Sequence, residues 1–245
     1  FLYLYLLFKH GHLGVHHRHL KLLFILGFLG SALPGVLFYW SLSNFPNAGM
    51  LSMTVSFIPI MTYVFALLLK TEKFVARRII GVIISGFALC IIVIPGHSLP
   101  NRTDVIWFLI ACGAAVSYAL ENLVIDTKSP KELGAVRVAC GMNFMAAIMV
   151  CPIAFLFDHS LAFSFTDGYL EGSLILLGLI NAVSYSMFVF LITRTGPVFA
   201  SQTGYVVTIG GIIWGIVLFG ESHSNLVWIS LVFIILGVRL VAPRD

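Results

Sequence analysis

Charged side chains are scarce in this sequence. Aspartate, glutamate, lysine and arginine together make up 10% of the 245 residues, whereas 60% of the residues are hydrophobic. A soluble globular domain carries about 25% charged residues, because its surface faces water. The composition therefore excludes a soluble globular domain and predicts an integral membrane protein.

Cysteine is also rare, and no two cysteines have the spacing of a metal or redox motif. The four cysteines all lie inside apolar stretches, at Cys90, Cys112, Cys140 and Cys151. Free cysteine in such surroundings behaves as a small apolar side chain. We therefore predict neither a disulfide nor a cysteine-bound metal.

Histidine is absent from the apolar stretches, and residues 10–19 hold five of the eight histidines. Such a cluster can bind zinc, but a metal transporter would also need ligands within its spans. The sequence therefore predicts no metal site and no cofactor. Without a histidine or lysine in mid-membrane, no serine there has a base to activate it, so we also predict no catalytic residues and no enzymatic activity.

Long apolar runs dominate the chain. A membrane-crossing helix needs about 20 residues, with a range of about 17 to 25. Eight stretches approach or reach that length: Leu22–Leu42, Ala48–Leu69, Ile79–Ile94, Val105–Ile125, Val138–Phe157, Gly172–Thr193, Val198–Phe219 and Leu226–Ala242. A ninth stretch, Phe1–Phe8, is typical of the tail of a further helix. None alternates as a barrel strand does, so the predicted fold class is an all-α, polytopic integral membrane helix bundle.

Basic residues are divided unequally between the two sides of these spans. Alternate loops and the C-terminal end hold every lysine and arginine except Arg102. Cytoplasmic loops carry the excess of such residues, so the sequence predicts a cytoplasmic C-terminus and an outer loop around residues 158–168. The net charge of +4 reflects this asymmetry and indicates no nucleic-acid partner.

Two parts of the chain share a layout. Residues 27–46 match residues 178–197, with glycine and proline in register, and residues 67–72 match residues 216–221. An odd number of spans separates the matched segments, so they cross the membrane in opposite directions. Inverted repeats of this kind are common among secondary transporters.

At these residues the sequence resembles the EamA-like family of the drug/metabolite transporter (DMT) superfamily. The resemblance rests on Gly196–Gln202, on the helix that ends in Gly220-Glu221, and on the Gly237-Val238 pair of the last helix. The first half carries a weaker version, in which Thr71 stands where the family has glycine. Glu121 also departs from the pattern, because the family usually has a neutral residue there.

The resemblance implies ten helices in two inverted five-helix repeats around a central substrate cavity. On that basis residues 1–100 form the first repeat, residues 101–245 form the second, and the chain holds eight helices and a fragment. Because Phe1 stands inside an apolar run, the repeat arithmetic implies that about 45 to 50 residues precede it. We therefore expect the 245-residue chain by itself not to transport.

Polar side chains recur along one face of several spans. Polar groups that face lipid are costly, so these faces should point inward. The candidates for lining a substrate cavity are Pro59, Tyr63, Tyr118, Glu121, Asn181, Tyr185, Gln202 and Tyr205. The alternative is hydrogen bonding between helices, which contributes about 0.6 kcal/mol for each bond.

Small residues and prolines indicate where helices pack closely or bend. One face of the seventh span carries only small side chains: Ala200, Gly204, Thr208, Gly211 and Gly215. Such spacing favours close helix packing. Pro34 and Pro59 lie within apolar stretches and should each free one carbonyl of the preceding turn.

Glu121 is the acid that lies well inside an apolar span. Insertion scales give a cost of about 2.5–3.5 kcal/mol for an acid at a helix centre, so a functional role is one interpretation. Glu121 would then bind a cationic group of a substrate or carry a coupling proton. The alternative is that it extends to the membrane surface or pairs with a basic residue such as Lys128, Arg137 or Arg194.

Taken together, these features favour a secondary transporter or exporter of small metabolites, amino-acid-like compounds or drugs in a bacterial inner membrane. Its partners would be the lipid bilayer, a small-molecule substrate and, through Glu121, a proton. The chain lacks the Gly-x-x-x-x-Gly-Lys-[Ser/Thr] phosphate loop of direct ATP use. A metal-ion transporter and a non-transporting membrane sensor remain the alternatives, and the sequence indicates no oligomeric state.

The orientation can be tested with topology reporters. Alkaline phosphatase fused after Asp245 should be inactive, because the basic asymmetry places this end in the cytoplasm. The same enzyme inserted within residues 158–168 should be active. The reverse pattern of activities would show that the orientation is wrong.

Overall fold

The computed structural model describes residues 2–3, 6, 17–93, 102–130, 132–157 and 169–240. Within these ranges eleven α-helices follow one another: α1 (Leu20–Gly27), α2 (Leu33–Asn44), α3 (Ala48–Ser52), α4 (Phe57–Leu68), α5 (Ala76–Val93), α6 (Arg102–Lys128), α7 (Gly134–Phe157), α8 (Tyr169–Thr195), α9 (Pro197–Ala200), α10 (Thr203–Phe219) and α11 (Asn225–Leu240). A π-helical turn, Phe28–Ala32, joins α1 to α2. A 3₁₀ segment, Met53–Ser56, joins α3 to α4.

The predicted spans are helical. Six helical stretches are long and apolar enough to cross a membrane: His17–Asn44, Ala48–Leu68, Thr103–Lys128, Gly134–Phe155, Glu171–Thr195 and Pro197–Phe219. A further apolar helix, Asn225–Gly237, is shorter. Most of the predicted stretch Phe1–Phe8 lies outside the described residues. The prediction of an all-α, polytopic membrane helix bundle is confirmed.

The chain divides into two compact units. The first unit comprises residues 1–32 and 124–194, and the second comprises residues 33–123 and 195–245. This division follows spatial packing, whereas the predicted boundary between residues 100 and 101 follows the sequence repeat. The repeat boundary therefore stays a prediction.

In the first unit, α1 and the π-helical turn pack against α7 and α8. Gly141 lies so close to α1 that a Cβ there would come within 2.6 Å of the Leu23 side chain. Pro34 lacks the N–H that would bond the Gly30 carbonyl in a regular α-helix. The Tyr185 hydroxyl donates a hydrogen bond of 3.0 Å to that carbonyl instead. The structure thus shows the distortion predicted at Pro34 and a side chain that compensates for it.

The second unit is built on a close crossing between the span Ala48–Leu68 and α10. The Thr208 hydroxyl donates to the Ser52 carbonyl at 3.2 Å, and the Ser52 hydroxyl lies 3.5 Å from the Thr208 carbonyl. Gly211 faces Ser52 so closely that a Cβ on this glycine would overlap the serine side chain. Small side chains therefore bring the two backbones together, as predicted for this face.

The close contact between the two spans continues on both sides of Gly211. Towards the start of α10, Gly204 faces the Val55 carbonyl, which a Cβ would approach to 3.0 Å. Towards the end of α10, a Cβ on Gly215 would come within 3.2 Å of the Gly49 Cα. Residue numbers rise along one span as they fall along the other, so the two spans run antiparallel.

A second antiparallel pair lies in the same unit, where α5 packs against α11. The Phe87 and Phe233 rings meet edge to face, with centroids 6.3 Å apart. The Arg77 guanidinium donates to the Arg239 carbonyl at 3.4 Å. The first pair, the span Ala48–Leu68 with α10, joins segments that the sequence repeat matches to each other.

The two matched helices end in left-handed residues of different kinds. Gly220 has φ 65° after α10, and Lys70 has φ 57° after α4. The sequence match aligns Gly220 with Thr71, whereas the left-handed residue of the first half is Lys70, one position earlier. The Thr71 hydroxyl lies 3.2 Å from the Ala66 carbonyl and so helps to close the end of α4.

Adjacent glycines on α10 offer a matched test of the crossing. Gly211→Ala should destabilise the protein, because the new Cβ overlaps Ser52 and overpacking costs about 1–3 kcal/mol. Gly210→Ala should be neutral or stabilising, because nothing lies within 4 Å of its Cβ position and alanine favours helix by about 1 kcal/mol. Thermal unfolding of the purified variants measures both effects. Equal midpoints for the two variants would contradict the close crossing.

Candidate functional site

Glu121 lies buried in α6, with a relative exposure of 0%. It stands seven residues before the end of α6 at Lys128, which corresponds to about 10 Å of helix. The absence of exposed surface favours an interaction within the fold over extension of Glu121 to the membrane surface. Glu121 does take part in a polar interaction, so the carboxyl group is held in place within the fold.

The face of α6 that carries Glu121 is polar, as the helical spacing predicts. Tyr118 is half-buried one turn before Glu121 and lies within electrostatic range of it and of Tyr39. Ser117 is 3% exposed and also takes part in a polar interaction. These groups form a buried strip of hydroxyls beside a carboxyl group.

The neighbouring face of α6 carries Asn122, which the sequence analysis missed. Its side-chain nitrogen donates to the Thr62 hydroxyl of α4 across 3.4 Å, and both residues are 0% exposed. In the described part of the chain, its side-chain oxygen has no hydrogen-bond partner. A buried amide with a spare acceptor can receive a donor from a ligand or from water. The available signal was an amide next to an acid inside an apolar span.

Tyr63 lies beside the loop that follows α4. Its side chain is 1% exposed, and its hydroxyl accepts a hydrogen bond from the Val75 N–H at 3.2 Å. The same hydroxyl lies 3.4 Å from the Lys73 carbonyl. Tyr63 therefore anchors the basic loop after α4, which favours a structural role. Pro59 is buried at the start of α4, directly after the 3₁₀ segment.

The other four candidates have separate surroundings. Tyr205 is 4% exposed and packs with Ala88 and Ile234, and Gln202 is half-buried between α9 and α10. In the first unit, Asn181 is exposed and Tyr185 is half-buried. The structure thus brings Tyr118 and Glu121 together on α6. It also joins α6 to the α4 turn of Pro59 and Tyr63, through the contact with Thr62.

A separate cavity of about 350 Å³ lies in the first unit, between the start of α7 and the end of α8. Its lining includes Ser129, Val138 and Arg194. The Arg194 guanidinium lies over the Phe190 ring, 5.2 Å from the centroid. None of the eight predicted residues lines this cavity, and Arg194 is the basic residue in its lining.

Glu221 is a second residue whose place the sequence did not reveal. Its carboxylate accepts a hydrogen bond of 2.9 Å from the Gly49 N–H, at the start of the span Ala48–Leu68. Its counterpart in the sequence repeat, Glu72, instead pairs with Arg78 at 3.1 Å. The sequence match had shown only that both acids follow a helix end.

Metal binding has no support in the described ranges, where no three histidine, cysteine or acidic side chains form a group that could hold an ion. Three histidines of the predicted cluster, His10, His12 and His16, lie outside those ranges. Cys112, Cys140 and Cys151 are free thiols.

Comparison with known proteins adds one match. The profile of a family described as the EamA-like transporter family matches residues 105–242. The match covers more than half of the chain, from α6 through the last described helix. No curated protein matches the chain.

Proposed function

The chain belongs to the EamA-like transporter family of the DMT superfamily, and on this premise we propose that it is a secondary exporter of small metabolites. The observation that carries the proposal is the family match across six helices of a multi-pass membrane protein. The basic asymmetry of the loops supports a bacterial inner membrane with the C-terminus in the cytoplasm. The absence of a phosphate-loop motif from the sequence supports an energy source other than direct ATP use.

The substrates proposed are amino-acid-like compounds or drugs with a cationic or hydrogen-bonding group. Tyr118, Ser117 and Asn122 offer hydroxyl and amide groups beside Glu121 in an otherwise apolar interior. Sites of this kind bury most of a small ligand against apolar surface and use a few polar groups for orientation.

The antiparallel crossing supports a mechanism of alternating access. The span Ala48–Leu68 approaches α10 closely through glycine and serine. This span is interrupted near its start, at Met53–Ser56, and the span Pro197–Phe219, which contains α10, is interrupted near its start at Ser201–Gln202. Interrupted helices of inverted repeats are typical of transporter binding sites. In the proposed cycle these two spans rock against each other while Glu121 binds a substrate cation or a coupling proton.

Glu121→Gln separates these roles from a structural one, since it keeps the shape and removes the charge. A hydrogen bond to a charged group contributes about 1.5–3 kcal/mol, so efflux should fall by about tenfold or more. The assay is efflux of a radiolabelled amino-acid panel from cells that overproduce the protein, between about pH 5.5 and 8. A loss at every pH indicates a substrate contact, and a loss of the pH dependence alone indicates a coupling proton.

Glu132→Gln is the matched control. Glu132 is exposed and pairs on the surface with Arg18 at 3.0 Å, so its substitution should leave efflux unchanged. Both variants must accumulate in the membrane at the level of the unsubstituted protein. Unchanged efflux in Glu121→Gln would leave Glu121 with a structural role only. No flux of any compound from cells that overproduce the product of the full-length gene would contradict the transporter proposal itself.

A further inference from the structure

The short segment after α10 folds back onto the crossing of the second unit. Gly220 ends the helix in the left-handed conformation, and the Glu221 N–H then bonds the Gly215 carbonyl at 3.2 Å. This turn directs the Glu221 side chain inward, where it is 9% exposed. Its carboxylate then accepts the Gly49 N–H at 2.9 Å.

Two glycines make the space that this carboxylate occupies. A Cβ on Gly215 would overlap the Glu221 carboxylate, and so would a Cβ on Gly49. A Cβ on Gly49 would also come within 2.9 Å of the His223 imidazole. The two glycines belong to different spans, so both sides of the crossing are shaped around one acid and one imidazole.

His223 completes this corner as a buried base. Its side chain is 1% exposed, and its Nε2 lies 3.6 Å from the nearer Glu221 carboxylate oxygen. Within the described ranges neither ring nitrogen has a hydrogen-bond partner. A neutral imidazole always keeps one donor and one acceptor, and leaving such groups buried and unpaired costs about 1–3 kcal/mol. An imidazolium beside the carboxylate would instead form a charge-assisted contact after a movement of a few tenths of an ångström.

Among the described residues, few other charges act on this corner. The described parts of α3, α10 and α11 bring no acid or base to this end of the spans. Tyr39 on α2 is exposed, and α6 carries Asp104 in its first turn. α6 contacts the same corner through Phe108, which packs in one cluster with Met50 and Val227.

We propose that Glu221 and His223 together bind one proton, and that this proton tightens the end of the crossing opposite the basic loops. The proton comes from the adjoining water and lies on the imidazole, which then carries a positive charge against the carboxylate. The site is separate from Glu121 and does not require that the protein transports any substrate.

The direction of the effect follows from the charges. A proton that the pair binds in the folded protein stabilises the fold, so the contact is gained on acidification and lost as the pH rises.

Thermal unfolding of the purified protein in lipid nanodiscs tests the site. Between pH 8 and pH 5.5 the midpoint of the unsubstituted protein should rise by about 2–4 °C relative to His223→Gln. Glu221→Gln should remove the same increment, because its amide still accepts the Gly49 N–H but carries no charge. His17→Gln is the control, since His17 is an exposed histidine in the first unit, and it should keep the full increment.

The proposal is overturned if either variant, His223→Gln or Glu221→Gln, shows the same change in midpoint on acidification as the unsubstituted protein. A change in midpoint on acidification that is no larger in the unsubstituted protein than in His223→Gln also overturns it. If Glu221→Gln does not accumulate, His223→Gln decides alone, because no protein group depends on His223 for a hydrogen bond in the described ranges. None of these outcomes depends on substrate flux, so the transporter proposal is tested separately.

Discussion

The second unit depends on close contact between two backbones. This contact occurs where the span Ala48–Leu68 crosses α10 in antiparallel orientation. Apolar side chains gain little from meeting each other in lipid, so helices associate through van der Waals packing and hydrogen bonds. Gly204, Gly211 and Ser52 allow that packing because larger side chains would overlap the partner span. The later part of the same span, α4, contacts α6 through the hydrogen bond between Thr62 and Asn122.

Side-chain hydroxyl groups explain how the interrupted spans are tolerated in lipid. Hydroxyl groups lie in and directly before the 3₁₀ segment. Ser52, Thr54 and Ser56 each donate a hydrogen bond to the carbonyl three residues earlier, at 2.6–2.7 Å. Ser201 and Thr203 do the same at the break before α10, at 2.8 and 2.9 Å. Backbone groups without partners in lipid cost several kcal/mol each. Serine and threonine therefore permit bends that apolar residues could not.

Hydropathy and small-residue spacing predicted the spans and the packed face of α10, because both depend on the local sequence and on lipid as the solvent. Spatial neighbours could not be predicted in this way. The hydrogen bond from the Val75 N–H to the Tyr63 hydroxyl and the left-handed conformation of Lys70 were not visible in the sequence. Asn122 was missed because its partner, Thr62, lies 60 positions away on another helix. The role of Glu121 and the lining of a substrate cavity by Asn181 and Tyr185 stay predictions.

The two ends of the crossing are closed by different chemistry. Near the basic loops, Ala66 and Val198 pack in one cluster, and Glu72 pairs with Arg78, with side chains 6% and 10% exposed. An arginine keeps its charge at any physiological pH. At the other end the matched acid, Glu221, faces a histidine. The repeat thus places equivalent acids at opposite ends of one crossing, and the partner of each decides whether protons can act there. An asymmetry of this kind lets one side of a membrane loosen or tighten the crossing while the other side stays fixed.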